Sequence, residues 1–162
     1  MKIRLPNEQA RKLEIALRKA GSREIGGQIF AEQLAPSDFL VTELTVQSRR
    51  GSVARFVVDL VQAARDALRF FDKTGHRYTQ FNYLGEWHSH PSFAVQPSSV
   101  DLRSMRDIVA DRDFRGTFAV LMIVKLDCDQ LKAGAWFFDP RGLETLVDVE
   151  IEHDEKRTHV DR

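Results

Sequence analysis

The sequence predicts an α/β protein in which helices flank a mixed β-sheet. Segments rich in β-branched and aromatic residues alternate with segments whose apolar residues recur every three or four positions, and such alternation is typical of layered α/β folds. The segment Thr117–Lys125 is almost continuously apolar, which predicts a central strand that is buried on both faces. At 162 residues, of which 43% are hydrophobic, the chain is long enough to bury one core without disulfides or a structural metal.

The N-terminal part predicts a short strand followed by a helix. Met1–Leu5 has strand character, Asn7 is the predicted N-cap, and Gly21 is the predicted end of the helix. Apolar residues lie between them at spacings of three and four. They are Ala10, Leu13, Ala16, Leu17 and Ala20. This spacing predicts an amphipathic helix.

The remaining elements follow from the same two periodicities. The predicted strands are Glu24–Phe30, Phe39–Val46, Ala54–Asp59, Tyr78–His90, Thr117–Lys125, Ala133–Phe138 and Leu143–Ile151. The predicted helices are Leu60–Lys73, with Val61, Ala64, Leu68 and Phe71 on its apolar stripe, and Ser98–Ala110. Residues 1–152 are predicted to form one domain, and residues 153–162 are predicted to be a polar C-terminal tail.

Charge and cysteine content exclude several classes of protein. The chain has 24 basic and 24 acidic residues, which argues against a protein whose main task is to bind nucleic acid or an anionic membrane. Cys128 is the only cysteine, so an internal disulfide and a cysteine-rich zinc module are excluded. No apolar run is long enough to span a membrane, and residues 1–12 lack the apolar core of a signal peptide. We therefore predict a cytoplasmic protein.

One segment, residues 85–101, combines residue types that can bind a metal ion. If the chain is extended up to His90, then His88 and His90 project from the same face, because side chains alternate along a strand. A helix then begins near Ser98, which puts Asp101 in its first turn. Two imidazoles and one carboxylate, with a fourth position open to water, are a known ligand arrangement for catalytic zinc.

The same residues have simpler explanations, which the sequence leaves open. A histidine is more often a surface or hydrogen-bonded residue than a metal ligand. Ser98 and Asp101 also match a capping box that has Asp in place of Glu. The metal site is favoured because His88, His90, Ser98 and Asp101 all occur within one window of 14 residues.

This segment resembles the motif of the JAMM metalloproteases, also called JAB or MPN+ domains. Their pattern is His-x-His, seven residues, Ser, two residues and Asp. His88 and His90, followed by Ser98 and Asp101, match it without a departure in spacing. The family also has a glutamate shortly before a glycine in an early strand, and Glu24 in the sequence EIGG stands in that place.

The sequence GEWHSHP, residues 85–91, is most similar to the small bacterial members of this family. These often occur in cassettes with E1- and E2-like proteins, including antiphage defence systems. The resemblance covers roughly residues 1–150 and implies a single JAB/MPN domain with a layout like that of the cytidine deaminases. It implies hydrolysis of the amide bond after the C-terminal glycine of a ubiquitin-like protein, in deconjugation or precursor processing. The implied partners are a ubiquitin-like protein or its conjugate and E1/E2-like proteins of the same operon.

The resemblance also implies roles for single residues. His88, His90 and Asp101 would bind Zn²⁺ together with a water molecule, whose pKa the metal lowers to about 7. Glu24 would act as general base and then as general acid. Ser98 would donate a hydrogen bond to the oxyanion of the tetrahedral intermediate.

Some residue assignments stay open at this point. Glu86 shares the predicted strand face of the two histidines, so it is a rival for the role of base or a carboxylate that orients an imidazole. Ser99 is an alternative to Ser98, although the motif spacing favours Ser98. Ser89 and Trp87 face the opposite way and are predicted to be structural.

The sequence also leaves alternative functions open. A catalytically silent MPN scaffold would bind ubiquitin-like or E1/E2-like partners without cleaving them, and a related enzyme would trim a sulfur-carrier protein. A zinc-dependent base deaminase is disfavoured, because its Pro-Cys-x-x-Cys motif needs two cysteines. The ubiquitin-like substrate, the preference for isopeptide or linear bonds, the oligomeric state and the biological pathway are not determined by the sequence.

Overall fold

The computed structural model describes residues 1–47 and 60–152. Within these ranges the chain forms three helices and seven strands. The helices are α1 (Asn7–Ala20), α2 (Leu60–Lys73) and α3 (Ser99–Ala110). The strands are β1 (Lys2–Leu5), β2 (Gly26–Ala35), β3 (Asp38–Leu44), β4 (Phe81–Ser89), β5 (Ala119–Asp127), β6 (Gln130–Phe138) and β7 (Glu144–Ile151). The predicted strand Ala54–Asp59 and the predicted tail 153–162 lie outside the described residues.

The seven strands form one mixed sheet that closes into a barrel in the order β1-β3-β2-β4-β5-β6-β7. The pairs β1–β3, β1–β7 and β4–β5 are parallel, and the other pairs are antiparallel. The predicted α/β class with a mixed sheet is therefore confirmed. Its closure depends on pairing between β1 and β7, which lie at opposite ends of the described chain, and no local pattern predicts such pairing.

The inner core combines α1 with residues from all seven strands. Leu13 and Leu17 of α1 are buried in it, together with Trp87 of β4. Gly21 ends α1 as predicted, but the predicted N-cap is wrong by one position. Pro6 takes the extended conformation of the cap, and its carbonyl accepts the first helical hydrogen bond, so Asn7 is already helical and no side chain caps this end.

A second, outer core lies between α3 and the outer face of the sheet. Met105 of α3 packs in the same cluster as Leu121 and Ile123 of β5, whereas Val120 and Met122 belong to the inner core. Both faces of β5 are therefore buried. This confirms the central strand predicted from the continuous apolar run.

The predicted apolar stripe of α2 is wrong. That prediction put Val61, Ala64, Leu68 and Phe71 on the buried face. The structure instead buries Phe70, whose ring stacks on Phe30 of β2 with centroids 4.4 Å apart. Val61 and Leu68 are 68% and 65% exposed. The aromatic contact, which sequence periodicity does not reveal, fixes the rotation of this helix.

Within the described ranges, none of the helices combines the length and apolar composition needed to cross a membrane.

Candidate metal centre

The two motif histidines come from the C-terminal end of β4. His88 lies within the strand, and the backbone N–H of His90 donates to the carbonyl of Val124 on the parallel strand β5, at 3.0 Å. Both imidazoles therefore face the same side of the sheet, as predicted from side-chain alternation. Trp87 and Ser89 face the other way and are fully buried, which confirms their structural assignment.

Asp101 reaches the histidines from the first turn of α3. Ser98 is the N-cap residue, and its hydroxyl accepts a hydrogen bond from the backbone N–H of Asp101 at 3.2 Å. In return, Asp101 Oδ2 accepts hydrogen bonds from the backbone N–H and the hydroxyl of Ser98, both at 2.7 Å. The capping box and the clustering with the histidines thus occur together. The cap fixes Asp101 through Oδ2, while Oδ1 faces His88.

Potential ligand atoms of three side chains converge at this point. The Nε2 atoms of His88 and His90 are 3.1 Å apart. Asp101 Oδ1 lies 3.4 Å from Nε2 of His88, and Oδ2 lies 3.6 Å from Nε2 of His90. Among the described residues, these three side chains form a group of metal-ligand type with one ligand atom each, all within 4.8 Å of one another.

The second ring nitrogen of His90 is also engaged. Nδ1 lies 3.1 Å from the carbonyl oxygen of Ala94. A carbonyl oxygen only accepts hydrogen bonds, so Nδ1 carries the proton in this contact. Nε2 then keeps its lone pair when the ring is neutral, and that lone pair points towards His88 and Asp101.

The charges at this centre are strongly coupled. Partial burial by itself raises the pKa of Asp101, but hydrogen bonds from His88, His90 and Ser98 outweigh burial, so the pKa falls far below its usual range. The pKa of His90 is raised, chiefly by its hydrogen bond to Asp101 and less by the nearby charge of Glu24. The arrangement favours a positive charge between these side chains, supplied either by protons or by a metal ion.

Glu24 lies in the same cleft, two residues before the start of β2. The residue is only 6% exposed and lines the cleft together with the two histidines and Asp101. Two hydrogen bonds join the next residue, Ile25, to the residue between the histidines. The backbone N–H of Ile25 donates to Ser89 Oγ at 3.0 Å, and the N–H of Ser89 donates to the Ile25 carbonyl at 2.8 Å. The position of Glu24 is thus tied to that of the histidines.

Gly27 of β2 lets the backbone of β2 approach that of Thr45 closely. A Cβ atom at Gly27 would lie 2.1 Å from the carbonyl oxygen of Thr45, so a side chain at this position would push the two backbones apart. The indole Nε1 of Trp87 donates to the same Thr45 carbonyl at 2.9 Å. Gly27 therefore lets the segment after Glu24 pack closely against the backbone of Thr45.

Glu86, the alternative carboxylate, is partly buried on the outer face of β4 and does not line the cleft. Burial raises its pKa, and the charge of the nearby His88 and the hydroxyl of Tyr83 oppose that rise. Glu24 thus lines the cleft, whereas Glu86 does not.

The cleft also has apolar walls that the sequence analysis missed. Its volume is about 630 Å³. Phe93 and Val100, both lining residues, are 58% and 54% exposed. The backbone of Phe93 is held by its N–H bond to the His90 carbonyl at 3.4 Å and by Lys125, whose Nζ donates to the Phe93 carbonyl at 3.3 Å. In the sequence, the only sign of these walls was that Phe93 and Val100 are apolar residues within the otherwise polar motif segment.

Comparison with known proteins identifies the domain. A family model of prokaryotic homologues of the JAB domain matches residues 8–139. A curated relative, the CD-NTase/cGAS isopeptidase of Enterobacter hormaechei subsp. hoffmannii (strain UCI 50), is 32% identical over 108 residues. The matched region is 65% of this chain and 57% of that relative. The chain thus spans little more than half the length of this relative.

Solved structures agree on the fold. A solution structure of a Desulfitobacterium hafniense protein has a TM-score of 0.69 at 18% identity and covers 99% of both chains. A solution structure of a Salinibacter ruber protein has a TM-score of 0.54 at 19% identity, covering 96% of this chain and 94% of that one. Because the family model covers most of the chain, the resemblance drawn from the motif is confirmed, and the protein belongs to the prokaryotic JAB-domain family.

Proposed function

We propose that the protein is a zinc-dependent isopeptidase or peptidase that hydrolyses the amide bond after the C-terminal glycine of a ubiquitin-like protein. The observation that carries the proposal is the convergence of His88, His90 and Asp101 beside the shielded carboxylate of Glu24. Family membership supports a hydrolase, and the relative named as an isopeptidase supports a conjugated protein as substrate.

The three side chains fit a zinc ion by type and by spacing. Tetrahedral ligands at metal distances of about 2.0–2.1 Å lie about 3.3 Å from one another. The Nε2 atoms of His88 and His90 are 3.1 Å apart, and the carboxylate of Asp101 lies 3.4 Å from the first through Oδ1 and 3.6 Å from the second through Oδ2. When bound, Zn²⁺ would act as a Lewis acid that lowers the pKa of a water ligand to about 7 and polarises the scissile carbonyl.

Glu24 moves the proton in the proposed reaction. Its carboxylate takes a proton from the attacking water as the new C–O bond forms. It then returns this proton to the amine nitrogen as the C–N bond breaks, so that the amine leaves as a neutral group. The low exposure of Glu24 supports this role, because a carboxylate shielded from solvent keeps the proton for the leaving group.

Ser98 has two tasks that compete for its hydroxyl proton. In the structure this hydroxyl donates to Asp101 Oδ2 at 2.7 Å. In the proposed reaction it rotates towards the oxyanion of the tetrahedral intermediate. The backbone N–H of Ser98 continues to hold the same carboxylate oxygen during this rotation, at 2.7 Å.

The shape of the cleft favours an extended tail with small residues at the scissile bond. Phe93 and Val100 supply apolar walls close to the ligands, and glycine lets the substrate backbone approach between them. Each described strand of the barrel already has two neighbours. The tail therefore gains its contacts from the cleft walls and loop backbone. E1/E2-like partners, a cytoplasmic location and a role in antiphage defence belong to the same proposal.

The test uses ubiquitin-like proteins with a peptide or a lysine side chain joined to the terminal glycine. Wild-type protein with zinc is expected to release the ubiquitin-like protein, and a chelator is expected to stop the reaction. Glu24→Gln is expected to keep its zinc and lose about 10²–10⁴-fold in rate, the usual contribution of a general base. Glu8→Gln makes the same change at an exposed position of α1 and serves as the control.

Three outcomes would contradict the proposal in different ways. Full activity in the presence of chelator would exclude the zinc mechanism. Full activity of Glu24→Gln together with inactivity of Glu86→Gln would transfer the role of base to Glu86. Binding of every ubiquitin-like protein without cleavage, despite bound zinc, would leave the silent MPN scaffold as the function.

A further inference from the structure

Residues 91–97, the cleft segment, form one wall of the cleft. They connect the histidines at the end of β4 to Ser98, the N-cap residue of α3. Four of them line the cleft, namely Phe93, Ala94, Gln96 and Pro97. The cleft segment is neither helix nor strand, so its position depends on the residues that it contacts.

Short-range hydrogen bonds join the cleft segment to the end of β4. The N–H of Phe93 donates to the His90 carbonyl at 3.4 Å, and the Ala94 carbonyl oxygen lies 3.1 Å from Nδ1 of His90. The N–H of Gln96 donates to the same Ala94 carbonyl at 2.8 Å. These contacts join residues two to four positions apart, so they shape local turns. They leave open how closely the segment lies against the rest of the sheet.

Contacts with β5 and β6 hold the cleft segment on the outer face of the sheet. Nζ of Lys125 in β5 donates to the Phe93 carbonyl at 3.3 Å, across 32 positions of sequence. Val95 packs against the outer core, as does Trp136 of β6. One polar contact and one apolar contact therefore come from strands that lie outside the motif of residues 85–101.

Gly134 of β6 allows the cleft segment to lie this close to the sheet. A Cβ atom at this position would lie 3.2 Å from the Val95 carbonyl oxygen and 2.8 Å from the ring of Trp136. Optimal contacts between carbon atoms are about 3.5–4.0 Å, so a side chain here would displace the cleft segment, the indole ring or both. Gly134 is not among the glycines with a positive φ. The close approach of the Val95 backbone is therefore what requires a glycine here.

We propose that Lys125 and Gly134 are positioning residues that hold the cleft segment on the sheet and keep the apolar wall at Phe93 in place for the substrate tail. Neither residue lines the cleft, so each acts through the segment. The candidate metal ligands come from β4 and α3 instead. Loosening the segment therefore weakens binding of the tail more than it slows the chemical step. This consequence rests on the proposed function, whereas the position of the segment is a property of the protein alone.

The first experiment needs neither metal nor substrate and measures amide hydrogen exchange of residues 91–97 by mass spectrometry. Lys125→Met removes the Nζ donor and keeps an unbranched side chain. Exchange in the cleft segment is expected to become about 3–10-fold faster, which corresponds to the usual net contribution of one hydrogen bond. Lys125→Arg is expected to restore slow exchange, because a guanidinium can still donate to the carbonyl. Lys132→Met is the matched control, since Lys132 lies directly opposite Lys125 in the β5–β6 register and contacts Gln130 instead.

Gly134→Ala tests the same position of the segment from below. The added methyl group is expected to accelerate exchange in residues 91–97, because it meets the Val95 carbonyl. The same methyl group meets Trp136, so the double variant Gly134→Ala/Trp136→Leu separates the two contacts. Faster exchange than in Trp136→Leu alone is expected to persist in the double variant.

The second experiment measures cleavage kinetics of the zinc-loaded protein with a ubiquitin-like substrate. Lys125→Met is expected to raise KM by about 3–10-fold with little change in kcat, the pattern of a lost binding contact, and Lys132→Met is expected to match the wild type. Wild-type exchange rates in both Lys125→Met and Gly134→Ala would overturn the proposal, and so would faster exchange with an unchanged KM. Faster exchange in a protein whose wild type cleaves no ubiquitin-like substrate would instead contradict the proposed function and leave the role of Lys125 and Gly134 in holding the segment intact.

Discussion

Asp101 and Asp139 are two shielded aspartates with similar hydrogen bonds but different surroundings. Each accepts bonds from the backbone just beside it. Asp101 accepts from the N–H of Ser98, and Asp139 accepts from the N–H groups of Arg141 and Leu143, both at 2.9 Å. Hydrogen bonds hold the pKa of both carboxyls below the usual value. Their local geometry alone does not tell them apart.

The remaining partners of the two carboxylates distinguish them. Asp139 Oδ2 accepts from the guanidinium of Arg141, two residues away, at 2.8 and 2.9 Å. Its charge is neutralised within one turn of the chain, which makes it a structural residue of the β6–β7 connection. Asp101 instead faces two imidazoles from β4. Lone pairs from two distant segments thus converge on one point, which favours a cation there and makes this cluster the candidate metal centre.

Asp101→Asn tests this distinction with the largest expected effect. The amide still accepts the capping hydrogen bond from Ser98, so α3 is expected to form, but the neutral ligand no longer attracts a cation. We expect loss of stoichiometric zinc and of all measurable hydrolysis. Metal analysis and cleavage assays check both. Asp139→Asn is the matched control and should keep both properties; equal zinc affinity in the two variants would contradict the comparison.

Ser98→Ala is expected to have an intermediate effect, because Ser98 serves both the cap and the reaction. Loss of an oxyanion donor costs about 10²–10³-fold in rate, and loss of the N-cap costs about 1 kcal/mol of stability. Ser98→Gly lacks the same hydroxyl but costs only a few tenths of a kcal/mol as a cap. Equal losses of kcat in both variants, with different Tm values, are therefore expected. Ser99→Ala, at the neighbouring serine, should leave kcat unchanged; a loss there would move the role to Ser99.

The smallest expected effect on function is that of Asp139→Asn, which should appear in stability alone. Hydrogen bonds, first of all from the Leu143 N–H, lower the pKa of Asp139 in the folded state. Its contribution to stability is therefore complete above the ordinary carboxyl pKa of about 3.9 and is lost as the pH falls through the lowered folded value. The Tm of the variant should lie below that of the wild type at neutral pH, and the gap should close in acid. A gap independent of pH would contradict this.

Local sequence patterns correctly predicted the parts of the site that depend on neighbouring residues. Alternation along β4 put His88 and His90 on one face, and the spacing of Ser98 and Asp101 predicted the capping box that aims a carboxylate at them. The apolar run of β5 predicted the strand that supports them. These features are fixed by backbone periodicity and by hydrogen bonds within a few residues, so they can be read from the chain.

Tertiary structure alone decided the rest, because those features depend on residues far apart in the sequence. Pairing of β1 with β7 closes the barrel, and the contact of Phe70 with Phe30 sets the rotation of α2 against the predicted stripe. The tie between Ile25 and Ser89 brings Glu24 into the cleft, and a bulge at Leu84 joins Tyr83 to the face that bears Glu86. Periodicity states which face of an element is apolar, but only packing between distant segments selects the partner that each face meets.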